Sequence, residues 1–255
     1  MFQLEKAGMH LSGKTLLHST TVRIESAGVY GLVGHNGSGK STLLKILAGQ
    51  LQPSSGVALF KDIPISQWKP TRYARQVAYL PQQLPPSEHL STQELIGCGR
   101  YPWLGLLGRA GAQDRAQVER AMALTQTSAY RDQCVDTLSG GERQRVWLAM
   151  LLAQQSRFLL LDEPLSALDI AHQIDVLELI RRLSVELGIC IVLVLHDINL
   201  AARYCDQLIA LRAGRIVFSG TATDLMNAPQ LKAIYGVEMS LIRHPVLDVP
   251  VALVN

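Results

Sequence analysis

Several features that would set a chain apart from ordinary folded proteins are missing from this one. Its four cysteines, Cys98, Cys134, Cys190 and Cys205, are scattered, with no CxxC pair and no Cys/His spacing of the zinc-binding kind. A disulfide scaffold or zinc ribbon is excluded, and a reducing cytoplasm is expected. No lysine or arginine run is long enough for a nucleic-acid surface, and the formal net charge is only +3, so no nucleic-acid partner is expected. The longest apolar stretch, Ile189 to Leu195, falls far short of the roughly 20 residues a bilayer-spanning helix needs. Any membrane must therefore be reached through a partner. Met1 to Lys6 lacks the basic segment and apolar core of a secretory signal, so export is not expected. There is no internal repeat and no low-complexity segment. What is present is a 255-residue chain, 48% hydrophobic and 18% charged, the composition of a folded globular protein with a sizeable core.

Short β runs fill the first third: Phe2 to Leu4, Thr20 to Ile24, Val29 to Val33, Val57 to Phe60 and Val77 to Leu80. Between Ser87 and about Arg131 the pattern turns helical, with Ser91 and Glu94 spaced as a capping box and a further helix near Gln113 to Gln126. This segment reads as an inserted helical module. From Phe158 the chain alternates. Phe158 to Leu161 is wholly apolar, as in a strand covered on both faces. Ile170, Ile174, Leu177, Ile180, Leu183 and Leu187 follow at helical spacing up to a capping Gly188. Ile189 to Leu195 is a second buried strand. This β-α-β order implies a parallel sheet with helices on both faces. Gly214 sits in a hairpin turn between Gln207 to Leu211 and Ile216 to Phe218, and the tail mixes a short helix with Pro245 and Pro250.

Gly34-His35-Asn36-Gly37-Ser38-Gly39-Lys40-Ser41-Thr42 follows an apolar strand and precedes the helical run Leu43 to Ala48, the context a phosphate loop requires. Its glycines let the backbone turn tightly enough for successive N–H groups to face phosphate oxygens, and the helix N-terminus adds partial positive charge. Lys40 is placed to reach the β and γ phosphates, Ser41 to give a hydroxyl to Mg²⁺, and Thr42 to hydrogen-bond phosphate. A glycine-rich turn that merely joins strand to helix is the bland alternative, and it does not require the lysine or the flanking elements.

Asp162 and Glu163 end the buried strand Phe158 to Leu161, at the carboxyl edge where α/β sheets place ligands. Asp162 would orient Mg²⁺, and Glu163 would activate the water that attacks the γ phosphate. Alone, two acids are as well explained by a strand leaving the sheet into solvent; beside a phosphate loop the catalytic reading prevails. His196 ends the next buried strand and is expected on the same edge, facing the γ phosphate.

Leu138-Ser139-Gly140-Gly141-Glu142 opens a helix, and Ser139 with Glu142 is spaced as a capping box. A cap alone gains nothing from two glycines in the first turn, each costing about 1 kcal/mol against alanine. Close backbone approach to an anion is the expected use.

Taken together, the phosphate loop, the acidic pair and the LSGGE segment resemble the ATPases of ABC transporters, from about Leu4 to Gly220. The resemblance implies an α/β P-loop NTPase core built on a parallel sheet, with an antiparallel β subdomain and an inserted helical subdomain. The core would comprise residues 1–82 and 145–220, the helical subdomain 83–144 and a tail 221–255. The ligands implied are ATP and Mg²⁺. In that family LSGGE closes over the γ phosphate held by a second subunit, which implies a homodimer with two composite sites beneath an integral-membrane permease. A substrate-binding protein would be an indirect partner, and the chain would lie peripherally on the cytoplasmic face of the inner membrane. The resemblance also assigns Gln82 as a Mg²⁺ contact linking the helical module to the core. Ser166-Ala167-Leu168-Asp169 matches the loop that crosses the dimer interface, and His196 the switch histidine. One stretch departs from the pattern: where the family stacks adenine on an aromatic side chain, this sequence has Met9, His10 and Leu11, so His10 or Met9 is expected to supply the contact.

Four segments are most similar to the iron-siderophore and cobalamin importer group, and within it to the ATPases of ferric hydroxamate uptake: Tyr79 to Pro86, Gly99 to Trp103, Leu168 to Gln173 and Leu195 to Tyr204. The cargo implied is an iron(III)-hydroxamate siderophore, with cobalamin, haem or another siderophore as the alternative. A non-transport ABC ATPase is the more distant alternative. Tyr101 and Trp103 are placed either to dock the permease or to serve as local core.

Overall fold

The computed structural model describes every residue except 26, 88, 106, 107, 167 and 248. In chain order the elements are β1 (Phe2–Leu11), β2 (Lys14–Ile24), β3 (Gly28–Val33), α1 (Lys40–Leu47), β4 (Ser55–Phe60), β5 (Ile63–Pro64), α2 (Pro70–Ala74), β6 (Val77–Leu80), α3 (Thr92–Cys98), α4 (Tyr101–Leu104) and α5 (Ala112–Thr125). They continue with α6 (Gly140–Ala153), β7 (Phe158–Leu161), α7 (Ile170–Leu187), β8 (Cys190–Val194), α8 (Ile198–Tyr204), β9 (Gln207–Arg212), β10 (Arg215–Thr221), α9 (Ala222–Leu225), α10 (Ala228–Tyr235), β11 (Met239–Arg243) and β12 (Pro250–Val254). The chain divides into two compact units, Met1–Gln67 with Cys190–Asn255, and Trp68–Ile189.

The first unit holds two sheets that position its part of the site. In one, β1 pairs antiparallel with β2 and β4, and β4 with β5. Both β1 and β2 run well past the short apolar runs that announce them. Register shifts between Leu4 and Ala7, Ala7 and Met9, and Met9 and His10 interrupt the ladder, and bulges of this kind break simple alternation. Three consecutive residues, Ala7 to Met9, are consequently buried, and the Phe2 and Phe60 rings meet beneath the sheet at 4.9 Å between centroids.

In the other sheet β3 lies parallel to both β8 and β9, and β10 returns antiparallel on β9. The near-continuous apolar sequences of β3 and β8 fit strands covered on both faces. Leu32, Val192 and Leu193 are fully buried there, as are Leu43, Leu44 and Leu47 of α1, each such side chain contributing roughly 1.5–3 kcal/mol. The tail departs from the sequence reading. It forms not only α9 and α10 but an antiparallel hairpin, β11 with β12, in which Pro250 occupies the first strand residue, a position that tolerates proline. Asn199 on α8 grips this hairpin at both amide atoms, Nδ2 donating to Ala252 O (3.1 Å) and Oδ1 accepting from Ala252 N (2.8 Å).

In the second unit β6 lies parallel to β7, from Val77 opposite Phe158 to Leu80 opposite Leu161. Helices α3, α5 and α6 pack on one another. The capping box of α3 forms as the Ser91–Glu94 spacing predicts: Glu94 N donates to Ser91 Oγ and Ser91 N to Glu94 Oε2. At α7 the N-cap is Asp169 and the C-cap is Gly188 at φ +60, a left-handed conformation that glycine adopts without strain. Trp103 is fixed locally. Its Nε1 donates to Gln154 O at 2.8 Å, and the Arg75 and Arg100 guanidiniums lie 4.8 and 5.2 Å from its ring. Tyr101 is exposed. No helix among the described residues is long and apolar enough to cross a membrane.

Candidate nucleotide site

The phosphate loop leaves β3 in the backbone conformation its glycines were expected to allow. Gly34 stands at φ +134, and a Cβ there would lie 2.1 Å from Leu211 O. Gly39 stands at φ +104, and its Cβ would lie 2.8 Å from Leu16 O. The loop is thus seated on β9 and β2 at two points where no side chain fits. His35, Asn36 and Gly37 form an exposed tip, while Ser38 and Lys40 are buried below it. Lys40, 4% exposed, turns its ammonium inward, donating to Gly34 O (2.7 Å) and His35 O (2.9 Å). Ser38 Oγ is buried without a hydrogen-bond partner, a costly arrangement for a hydroxyl unless a ligand supplies one. No side chain caps the first turn of α1, where Ser41 and Thr42 are half-buried. A cation, a hydroxyl and a helix N-terminus therefore converge at one loop, an arrangement suited to phosphate.

His196 lies on the same edge of the same sheet. β3 and β8 are parallel in the register Leu32 opposite Val194, and Leu195 N still donates to Leu32 O at 3.0 Å. Both strands deliver their carboxyl ends to one side, so His196 and the phosphate loop emerge side by side. Asp197, the next residue, caps α8, its Oδ1 accepting from Asn199 N and Leu200 N.

Of the two residues offered for adenine, Met9 is buried and its Sδ accepts a hydrogen bond from Ser54 Oγ at 3.5 Å; the bulged ladder turns it inward, so it presents no face for stacking. His10 is exposed, its Nδ1 within 3.0 Å of Thr15 Oγ1. Leu11 beside it is also exposed.

In the second unit Gln82, Asp162 and Glu163 come together at the carboxyl ends of β6 and β7. Gln82 Nε2 donates to Glu163 Oε2 at 2.7 Å. Asp162 is almost wholly buried, and Tyr79 OH donates to its Oδ2 at 3.3 Å. Burial first, and then the Asp162 carboxylate, push the Tyr79 hydroxyl well above its ordinary pKa, so it remains a donor at any working pH. Glu163 has φ +52, a region costly for a residue with a side chain and one that tends to mark functional turns.

Ser139 caps α6 as its spacing predicts, with Glu142 N donating to Ser139 Oγ and Ser139 N to Glu142 Oε2. The Ser139 backbone N–H first, and then its hydroxyl, hold the Glu142 carboxyl below its ordinary pKa. The two glycines differ in their surroundings. Gly140 is exposed, whereas Gly141 is buried and its missing side chain makes room for the His172 ring. Gly140 lines a cavity of about 60 Å³ together with Gln82, Asp162, Glu163, Gln144 and Ser166. Ala167, in the segment assigned to the dimer interface, lies outside the described residues.

Sequence reasoning passed over Tyr79 and Gln144 as site residues. Gln144 is buried and its Nε2 has no hydrogen-bond partner. Its position four residues after Gly140 puts both on one helix face, and that spacing was the available signal. Tyr79 entered the sequence reading only as the start of the Tyr79 to Pro86 segment, and its place next to the end of β6 was the further signal.

A strand–loop–helix phosphate cradle, a strand-end Asp-Glu pair and a helix opened by Ser-Gly-Gly define a nucleotide-hydrolysing cassette. The family described as ABC transporter matches residues 17–166, and the chain belongs to it, as an ATP-binding subunit. It is 40% identical to the ferric enterobactin transport ATP-binding protein FepC of Escherichia coli (strain K12), over 94% of this chain and 88% of that protein. It is 34% identical to the iron(3+)-hydroxamate import ATP-binding protein FhuC of Bacillus subtilis (strain 168), over 98% and 93%. Among solved structures, a dimeric ATP-binding cassette in a post-hydrolysis state with ADP and Pi superposes with TM-score 0.74 at 23% identity, covering 87% of this chain and 99% of that one. The fold is that of an ABC cassette: parallel sheet, antiparallel sheet and helices.

Proposed function

We propose that two copies of this chain bind and hydrolyse ATP with Mg²⁺ on the cytoplasmic face of the inner membrane. The hydrolysis drives an integral-membrane permease that imports an iron(III)-hydroxamate chelate delivered by a substrate-binding protein. The phosphate loop carries this reading: its lysine is buried with the charge turned into the loop, beside a buried serine hydroxyl that lacks a partner.

The Ser41 hydroxyl, the Gln82 amide and the Asp162 carboxylate are the groups that would hold Mg²⁺, since each can offer the hard oxygen ligand it takes. No cluster of three His, Cys, Asp or Glu occurs among the described residues, so the ion would share its coordination with phosphate oxygens, as Mg²⁺ commonly does. When bound, it neutralises phosphate charge as the transferred group departs. Lys40 holds the β and γ phosphates, with Gly34 to Thr42 supplying amides and hydroxyls, and His196 steadies the γ phosphate. Glu163, steadied by Gln82, takes the proton of the attacking water. The water oxygen bonds to the γ phosphorus, the bond to the β–γ bridging oxygen breaks, and ADP and Pi result. Ser139, Gly140, Gly141 and Glu142 of one copy close over the nucleotide held by the other, and residues 83–144 pass the motion to the permease. His10 supplies the adenine contact, since it is exposed and Met9 is not.

The FhuC likeness supports a hydroxamate cargo. The higher identity to FepC supports a second reading, ferric enterobactin. Uptake of iron-labelled hydroxamate and of iron-labelled enterobactin is measured in cells lacking the gene, complemented by the wild-type chain or by Glu163→Gln. Hydroxamate uptake rescued by wild type alone is expected. Rescue of enterobactin uptake instead makes ferric enterobactin the cargo, and rescue of neither, with ATPase activity intact, overturns both.

A further inference from the structure

His172, the third residue of α7, stands against the glycine loop that opens α6. An ideal Cβ on Gly141 would lie 2.3 Å from His172 Cδ2, 2.9 Å from Cγ and 3.1 Å from Nε2, so the imidazole rests directly on the bare glycine. The ring is fixed from its other side. His172 Nδ1 lies 2.8 Å from Asp169 Oδ1, and that oxygen also accepts the His172 backbone N–H at 2.9 Å.

Asp169 closes the segment Ser166 to Asp169. The backbone N–H of His172, then its ring, hold the Asp169 carboxyl below its ordinary pKa. The carboxylate therefore stays ionised at working pH, and Nδ1 is the nitrogen that carries a proton in either charge state of the ring. Glu142 feels the same ring, as a cause smaller than its bonds to Ser139. One side chain thus joins the start of α7 to the start of α6, and both helices are long enough, at 18 and 14 residues, to act as rigid levers.

We infer that His172 is a positioning residue that holds the Ser139–Glu142 loop in register with Asp169, so that both are presented as one surface to the nucleotide bound by the second copy. The inference rests on the reading of that loop as part of a composite site. It also gives Gly141 its reason: any side chain there would expel the ring from its seat and break the link to Asp169. The Ser139–Glu142 capping box survives loss of His172, so the loop would drift rather than unfold. A misplacement of about 1 Å can cost on the order of 100-fold in rate, and the surviving cap limits the expected loss here to about tenfold.

The test uses full-length chain in the Glu163→Gln background, following ATP-dependent dimerisation by light scattering, with turnover measured in the otherwise wild-type chain. The His172 side chain is 44% exposed, so its replacement leaves the fold in place. His172→Ala is expected to raise the ATP concentration for half-dimerisation about tenfold and to lower kcat similarly. Binding of a fluorescent ATP analogue to the dilute monomer, and Tm, stay unchanged. His172→Asn, whose Nδ2 takes the place of Nδ1 towards Asp169, restores most of both losses, whereas His172→Gln does not. Dimerisation and kcat indifferent to His172→Ala would overturn the inference alone, as would losses that merely track a fall in Tm with Asn no better than Ala. If Glu163→Gln itself stays monomeric in saturating ATP, the two-copy reading falls and takes this inference with it.

Discussion

Replacing Gly34 by alanine adds one methyl group at the point where the phosphate loop leaves its strand. At φ +134 an L-residue is far outside its allowed regions, and such strain costs about 1–3 kcal/mol. The new Cβ would also lie 2.1 Å from Leu211 O and 3.0 Å from Ser38 Oγ. Leu211 is paired with Ile216 in the β9–β10 ladder and cannot retreat without breaking it, so overpacking adds about 1–3 kcal/mol more. The combined loss is roughly 2–6 kcal/mol, or about 2–4 °C of Tm for each kcal/mol in a chain of this size. Gly37 provides the control. It has φ +74 but nothing within 4 Å of where its Cβ would stand, so Gly37→Ala carries only the left-handed backbone cost of about 1–2 kcal/mol. Thermal unfolding of the two ligand-free variants, followed by circular dichroism, isolates the steric part. If Gly34→Ala melts within about 2 °C of Gly37→Ala, the contact with β9 does not constrain the loop and the reasoning is refuted.

Lys40→Ala removes a buried cation from the cradle and is expected to weaken nucleotide binding by about 1.5–3 kcal/mol, roughly 10- to 150-fold, read by isothermal titration. Glu163→Gln keeps the shape of the side chain and loses the base: kcat should fall at least about 100-fold, while light scattering shows a persistent dimer in ATP. Because the folded Asp169 carboxyl titrates below its unfolded value of 3.8, its stabilising effect is complete above that value and is lost as pH falls through the folded one. Asp169→Ala should therefore lower Tm at pH 7, with the gap to wild type narrowing below about pH 4; a gap independent of pH refutes the assignment. His10→Ala should weaken ATP binding with little change in Tm. Met9→Ala should do the reverse, costing about 2–5 kcal/mol as a buried methionine, checked by paired titration and melting.

The parts of the molecule legible from sequence are those decided within a few residues. Ser91 with Glu94, Ser139 with Glu142, and Gly188 after an 18-residue amphipathic helix each close a local hydrogen-bond pattern that spacing alone reveals. The phosphate loop is legible for the same reason, since its glycines, lysine and flanking strand and helix are contiguous. Contacts between distant segments were not. Three register shifts along β1 turn Met9 inward, and no alternation rule anticipates them. The β11–β12 hairpin was hidden by Pro245 and Pro250, which read as breakers although Pro250 only begins a strand. The seat that Gly141 leaves open was not legible either, because the ring that fills it belongs to a histidine 31 positions downstream.

Asn199 holds both backbone atoms of Ala252 and stands three residues after His196. The final hairpin is thereby tied to the helix that follows the histidine at the end of β8, and a chain cut before Ala252 would slacken that helix start without touching any residue of the cradle. Such a truncation should show itself as an enzyme that still captures nucleotide but mistimes its release of phosphate, an effect that screening for folded, ATP-binding protein would pass over.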